Sequence, residues 1–304
     1  MARGRLGQHG HGLQPGHVSA AVTTAAWQDR YLTVDGIRTH YLEAGEGRPV
    51  VLLHAGEFGG AAELSWEHTI PALAEHYRVI APDWLGFGLT DKVHDFVSGQ
   101  LRRLEHMRRF LEELAVGPAA FVGNSMGGLV LARAVARDEP VWPAEALVIV
   151  SAGGFSPDNE ARRFLLDYDC TVEGMRRVLQ VLFHSPAFSA DDEYVKRRYE
   201  MSAVPGAWEC AAAARFRSPI TPARADFGIP DTTEWEKIGV PTLIVAGAED
   251  PLKEPGFGDA IVARLPQGRS IVYPECGHAP NIEVADRFNT DLLAFLVQTY
   301  PPTP

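Results

Sequence analysis

"FVGNSMGGLV", residues 121–130, sets Ser125 between Gly123 and Gly127 directly after an apolar run. The run "AAFVGN" (119–124) has the short, unbroken apolar character of a strand buried on both faces. The residues after it, "GGLVLARAVARD", carry a helical period. A Gly-x-Ser-x-Gly turn between strand and helix forces the serine into a tight conformation with its hydroxyl exposed above the sheet. The same letters also occur in ordinary glycine-rich loops. The reading of Ser125 therefore depends on whether the rest of the chain supplies a base, an acid and an oxyanion site.

Working outward, the strand reading repeats. "VVLLH" (50–54), "RVIAPD" (78–83), "ALVIVS" (146–151), "TLIVAG" (242–247) and "SIVYPE" (270–275) are short runs with little alternation. Helical patterns lie near 63–74, 99–115, 127–138, 256–264 and 283–299. "RYLTVDGIRTHYLEAG" alternates around Asp35-Gly36, a hairpin signal. Strands alternating with helices predict an α/β fold, a doubly wound and mostly parallel sheet.

Residues 155–238 interrupt this pattern. They lack a buried-strand run and read as helical in "CTVEGMRRVLQVLF", "DDEYVKRRYEMS" and "WECAAAARF". A structureless loop of that length would count against the assignment, whereas a helical cap inserted between two late strands would not. The expected organisation is a disordered leader over 1–26, a core from 27–154 and 239–300, and a cap over 155–238. Ligands of open α/β sheets bind at the carboxyl ends of the strands, so a cap there would enclose the site.

A serine hydroxyl is a weak nucleophile until a base takes its proton. Of eleven histidines, His278 sits in a loop after the last strand run and before the final helix, the place a base needs. His54 ends the "VVLLH" strand and is the alternative base, although its position beside "AGEFGGA" suits the oxyanion site or substrate contact better. Asp250, just past "TLIVAG", is the orienting carboxylate expected, with Glu249 the neighbour to separate from it. Asp83 in "APDWLGFG" reads as a turn-fixing residue. The order serine, acid, histidine is one of the known chain orders of this triad. Backbone N–H groups of Met126 and Ala55 are expected to face a developing oxyanion.

Composition excludes other classes. The 304 residues carry a net charge of −11, which disfavours nucleic acid and anionic membranes. Hydrophobic residues make up 46% and charged residues 22%, as in a globular chain with a large core. Three scattered cysteines suggest neither a zinc site nor a disulfide framework, so no metal and no cofactor are expected. No transmembrane run is present, and a cytoplasmic location is the expectation. The expected partner is a small-molecule substrate, with a homodimer allowed for.

The elements "LLHAG", "APDWLGFGLTD", "GNSMGG", "GAEDPL" and "CGH" together resemble the α/β-hydrolase superfamily from residue 30 onward. The closer resemblance is to serine hydrolases that cleave carbon–carbon bonds in meta-cleavage products, which are vinylogous 1,5-diketone acids. It implies that Asn124, before the nucleophile, and Arg198, in the second cap segment, meet the substrate. Arg198 would bind its carboxylate through the planar guanidinium fork. The chain departs from that pattern at Glu57, which would repel a dienoate if it faced inward, or pair with Arg198 and cancel it. It departs again at Ala279, where many members have tryptophan. An ester or lactone hydrolase is the alternative on the same scaffold, and a ligand receptor that keeps the triad is a third reading.

Overall fold

The computed structural model describes residues 27–96, 99–213 and 227–303, and the leader expected over 1–26 lies outside them. Eight strands form one sheet: β1 (Gln28–Val34), β2 (Ile37–Ala44), β3 (Pro49–Leu53), β4 (Arg78–Pro82), β5 (Ala119–Asn124), β6 (Ala144–Val150), β7 (Thr242–Gly247) and β8 (Gly268–Tyr273). Their spatial order is β1-β2-β4-β3-β5-β6-β7-β8. The pairs β1–β2 and β2–β4 are antiparallel and all others parallel. The hairpin turns at Asp35 (φ 49°) and Gly36 (φ 81°), two left-handed residues as a tight two-residue loop requires.

The continuous apolar runs serve two cores at once, because successive side chains of a strand point to opposite faces. Val51, Leu53, Phe121, Leu147 and Ile149 belong to the core on one face. Val50, Leu52, Val122, Val148 and Val150 belong to the core on the other.

Around the sheet run α1 (Ala62–Trp66), α2 (Thr69–Ala74), α3 (Gly99–Glu113), α4 (Met126–Val135), then α5 (Glu160–Leu166), α6 (Val172–Leu182), α7 (Ala187–Ala190), α8 (Asp192–Ser202) and α9 (Ala207–Ala212), and finally α10 (Phe257–Val262), α11 (Pro280–Glu283) and α12 (Ala285–Thr299). Two single helical patterns are each divided. The pattern over 63–74 splits into α1 and α2 because Pro71 has no N–H to continue the ladder. The last pattern splits at Val284, whose φ of −127° and ψ of 43° leave the helical region.

Helices α5–α9 lie between β6 and β7 and share an apolar cluster with the loops at the carboxyl edge of the sheet. Phe58, Leu252, Ala279 and Ile282 from the edge pack with Met175, Leu179, Leu182 and Val195 from the helices. This helical layer roofs the strand ends. Its α5 carries no periodic signal strong enough to read from sequence, and none of its residues is fully buried.

Candidate active site

The local sequence places Ser125. It turns the chain from β5 into α4 at φ 51° and ψ −114°, a region that costs a non-glycine residue about 1–3 kcal/mol. Side chains at the flanking glycines would crowd the turn. A Cβ at Gly123 would lie 2.7 Å from the Gly127 carbonyl carbon, and one at Gly127 would run into the Leu53 carbonyl oxygen.

Ser125 Oγ is 2.8 Å from His278 Nε2, and His278 Nδ1 is 2.7 Å from Asp250 Oδ2. The other Asp250 oxygen accepts the Leu252 N–H at 2.8 Å. Both His278 and Asp250 are buried, while Glu249 is exposed. The His278 loop is pinned from three sides. The His278 N–H donates to the Leu182 carbonyl at the end of α6 at 2.7 Å, and the Gly277 N–H donates to Glu283 at 2.6 Å. The Asn124 amide donates to the carbonyls of Val150 (3.3 Å) and His278 (3.4 Å). Asn124 thus ties the end of β5 to the histidine loop, and it is not among the residues that line the cavity.

His54 is fully buried and outside that wall as well. Its Nδ1 is 2.6 Å from the Ala55 carbonyl, and its Nε2 accepts the Trp84 N–H at 3.1 Å. Burial lowers its pKa, against the pull of Asp83, so the ring is neutral. His54 therefore shapes the loop after β3. Asp83 fixes the adjoining turns by accepting from Ala62 (2.7 Å) and Leu89 (2.8 Å) and pairing with His40 (2.7 Å).

A cavity of about 320 Å³ opens above Ser125, bounded by the loop after β3, the start of α4 and the helical layer. Met126 and Gly56 line it, and they touch closely enough that a Cβ at Gly56 would lie 2.6 Å from the Met126 sulfur. Ala55 is buried behind Gly56. Glu57 lines the cavity, but Arg198 does not. Arg198 is fully buried in α8 and donates from Nη2 to Glu57 Oε1 at 2.6 Å. Its Nε and Nη1 find no partner among the described residues. Burial alone would raise the Glu57 pKa, yet Arg198 outweighs it and keeps the carboxyl ionised. Ala279 packs in the cluster beneath the helical layer. Two cavity residues that the sequence did not single out are Arg162 and Lys253. Among the described residues no group of His, Cys, Asp and Glu is placed to hold a metal ion.

The comparisons agree with this geometry. Residues 50–291 match the model of the alpha/beta hydrolase family. The chain is 34% identical over 276 residues to a 2-hydroxy-6-oxo-6-(2'-aminophenyl)hexa-2,4-dienoic acid hydrolase of Metapseudomonas resinovorans, covering 90% of this chain and 92% of that one. It is 31% identical over 273 residues to a 2-hydroxymuconate semialdehyde hydrolase of Pseudomonas sp. strain CF600, covering 88% and 94%. Among solved structures, a meta-cleavage product hydrolase from Pseudomonas fluorescens IP01 superposes with a TM-score of 0.77 at 27% identity, over 88% of this chain and 97% of that one. With the strained serine, the buried histidine and aspartate, and a family match over most of its length, this chain belongs to the alpha/beta hydrolase family.

Proposed function

We propose that this protein is a serine hydrolase that cleaves a carbon–carbon bond next to a ketone in a vinylogous diketone acid. The observation that carries the reading is the bonded line Ser125 Oγ, His278 and Asp250 at 2.8 and 2.7 Å beneath a roofed cavity. The names of relatives matched over about nine-tenths of the chain point to the same bond class.

In this reading Ser125 Oγ attacks the ketone carbon while His278 Nε2 takes its proton. Asp250 holds the Nδ1–H and stabilises the imidazolium that forms. The N–H groups of Met126 and Ala55 receive the oxyanion. When the carbon–carbon bond breaks, its electron pair passes into the adjoining conjugated carbonyl, and His278 returns the proton to that fragment. Water, activated by the same histidine, then frees the acyl group from Ser125. Helices α5–α9 act as a cap that excludes bulk water, so the charges that develop are screened less than in solvent.

A second reading, ester or lactone hydrolysis, is favoured by one observation. The Glu57–Arg198 pair at 2.6 Å neutralises the arginine that would anchor a carboxylate. The experiment that separates the two is turnover of a dienone-acid chromophore, p-nitrophenyl esters and lactones. Hydrolysis of the dienone acid at least tenfold more efficiently than the esters supports the first reading, and the reverse order supports the second. A cytoplasmic site of action accords with the unpaired cysteines Cys170, Cys210 and Cys276. Among the described residues no helix is long and apolar enough to cross a membrane.

A further inference from the structure

The cavity has a second polar end besides Glu57, built on the segments that follow β6 and β7. Lys253, three residues after Asp250, and Arg162 of α5 both line it, together with Ser151 and Ser156 of the segment after β6. Among the described residues both cations bond only to neutral oxygens. Lys253 Nζ donates to the Gly153 carbonyl at 2.6 Å and to Ser156 Oγ at 3.2 Å. Arg162 donates from Nε to the Pro157 carbonyl at 3.2 Å and from Nη2 to the Leu252 carbonyl at 2.9 Å. Its guanidinium also lies over the Phe227 ring, 4.1 Å from the centroid. Neither forms an ion pair among the described residues.

Positive charge left unpaired in a partly desolvated wall is costly unless a counter-charge arrives. Asp231 lines the same end but is engaged elsewhere, accepting from Gly154 and Trp235 at 2.8 Å and from Thr233 at 3.0 Å. Asp250 is engaged by His278. A further polar atom is also unused: Ser151 is fully buried in this wall, at φ 50°, and its Oγ has no partner among the described residues.

We propose that the Arg162, Lys253 and Ser151 end of the cavity is a carboxylate subsite, which receives an acidic group of the substrate while Arg198 stays paired with Glu57. The inference deepens the proposed function only in that the substrate occupies this cavity. Two cations and a hydroxyl can supply charge-assisted donors to both oxygens of one carboxylate. Burial lowers the Lys253 pKa to about 8, offset in part by Asp250 and Asp231 and reinforced by Arg162. Carboxylate binding is then strongest below pH 8 and weakens as pH rises through about 8 and the amine loses its proton.

The test is calorimetric binding of benzoate and its neutral isostere benzamide, which needs no turnover. The wild-type protein should bind benzoate about ten- to a hundredfold more tightly than benzamide at pH 7, with the difference shrinking above pH 8. Lys253→Met should remove most of that preference, and Lys253→Arg should keep it at pH 7 and also above pH 8. Melting curves of each variant check that it is folded. Equal binding of the two ligands by the wild-type protein would overturn the subsite. So would a preference unchanged in Lys253→Met, or one lost only in Arg198→Met. Whether the protein turns over a dienone acid is read separately, so failure of the function and failure of the subsite are distinguishable.

Discussion

Arg198 and Glu57 face each other at 2.6 Å across 141 residues of chain, with the arginine fully buried and the glutamate at the cavity wall. The pair ties α8 to the loop after β3. That loop is tied a second time, because a Cβ at Gly59 would run into the Arg198 carbonyl. The pair and this close approach hold the helical layer against the loop that carries Ala55 and Gly56.

Breaking this pair from one side should be worse than removing both partners. Glu57→Gln leaves a buried guanidinium without its carboxylate and is expected to destabilise the fold by about 3–5 kcal/mol. Glu57→Gln with Arg198→Met should lose much less than the sum of the two single changes, read by denaturant unfolding. The Glu57 pKa lies below its ordinary 4.5. The stabilisation is therefore fully present above about pH 4.5 and is lost as pH falls further, through the folded-state value. Additive losses, or no acid dependence in this window, would show that the pair does not couple the two elements.

Ser125→Ala should lower kcat by about 10⁴- to 10⁶-fold while leaving the melting temperature close to wild type. The hydroxyl takes no part in core packing, and alanine at φ 51° strains the turn no more than serine does. Residual activity above a tenth of wild type on every substrate tried would remove Ser125 from the mechanism.

Asp250→Asn should cost orders of magnitude in kcat, because an amide favours the wrong tautomer of His278 and cannot stabilise the imidazolium. Exposed Glu249, changed to Gln, should leave kcat within a few fold. Steady-state kinetics of the two variants side by side decide the matter. Equal losses would leave His278 without an assigned acid.

Arg198→Met combined with Glu57→Gln, which leaves no uncompensated charge at the wall, should affect acidic and neutral substrates to a similar degree, because Glu57 already holds the guanidinium and Arg198 is not part of the cavity wall. The comparison is of KM for a dienone acid and for a p-nitrophenyl ester. A rise of about tenfold or more confined to the acid would restore Arg198 as a direct carboxylate anchor.

Gly127→Ala tests the turn itself. The added methyl would press on the Leu53 and His54 carbonyls, both backbone, at the crossing of β3 and α4. A loss of about 1–3 kcal/mol is expected, measured by thermal or denaturant unfolding, since neither carbonyl can swing aside. Full stability would show that β3 and α4 leave room for a methyl group between them.

The chain's own letters determined what is local. Buried strands such as "AAFVGN" and "TLIVAG" need unbroken apolar runs wherever they fold, and the elbow needs glycine on both sides of Ser125. The positions of Asp250 and His278 followed for the same reason, since each stands in a loop just past a strand whose end is visible in sequence. Tertiary structure decided what depends on side chains meeting from distant segments. Whether Arg198 faced the cavity or Glu57 was a matter of how α8 docks on the β3 loop. Asn124 turned to the Val150 and His278 carbonyls, and His54 to the Trp84 N–H, which only the folded chain brings within reach. Arg162 and Lys253 look like ordinary surface cations in sequence, because nothing local shows that the helical layer will fold both of them against one cavity. A charge's role is set by the dielectric and the partners around it, and both are properties of the packed chain.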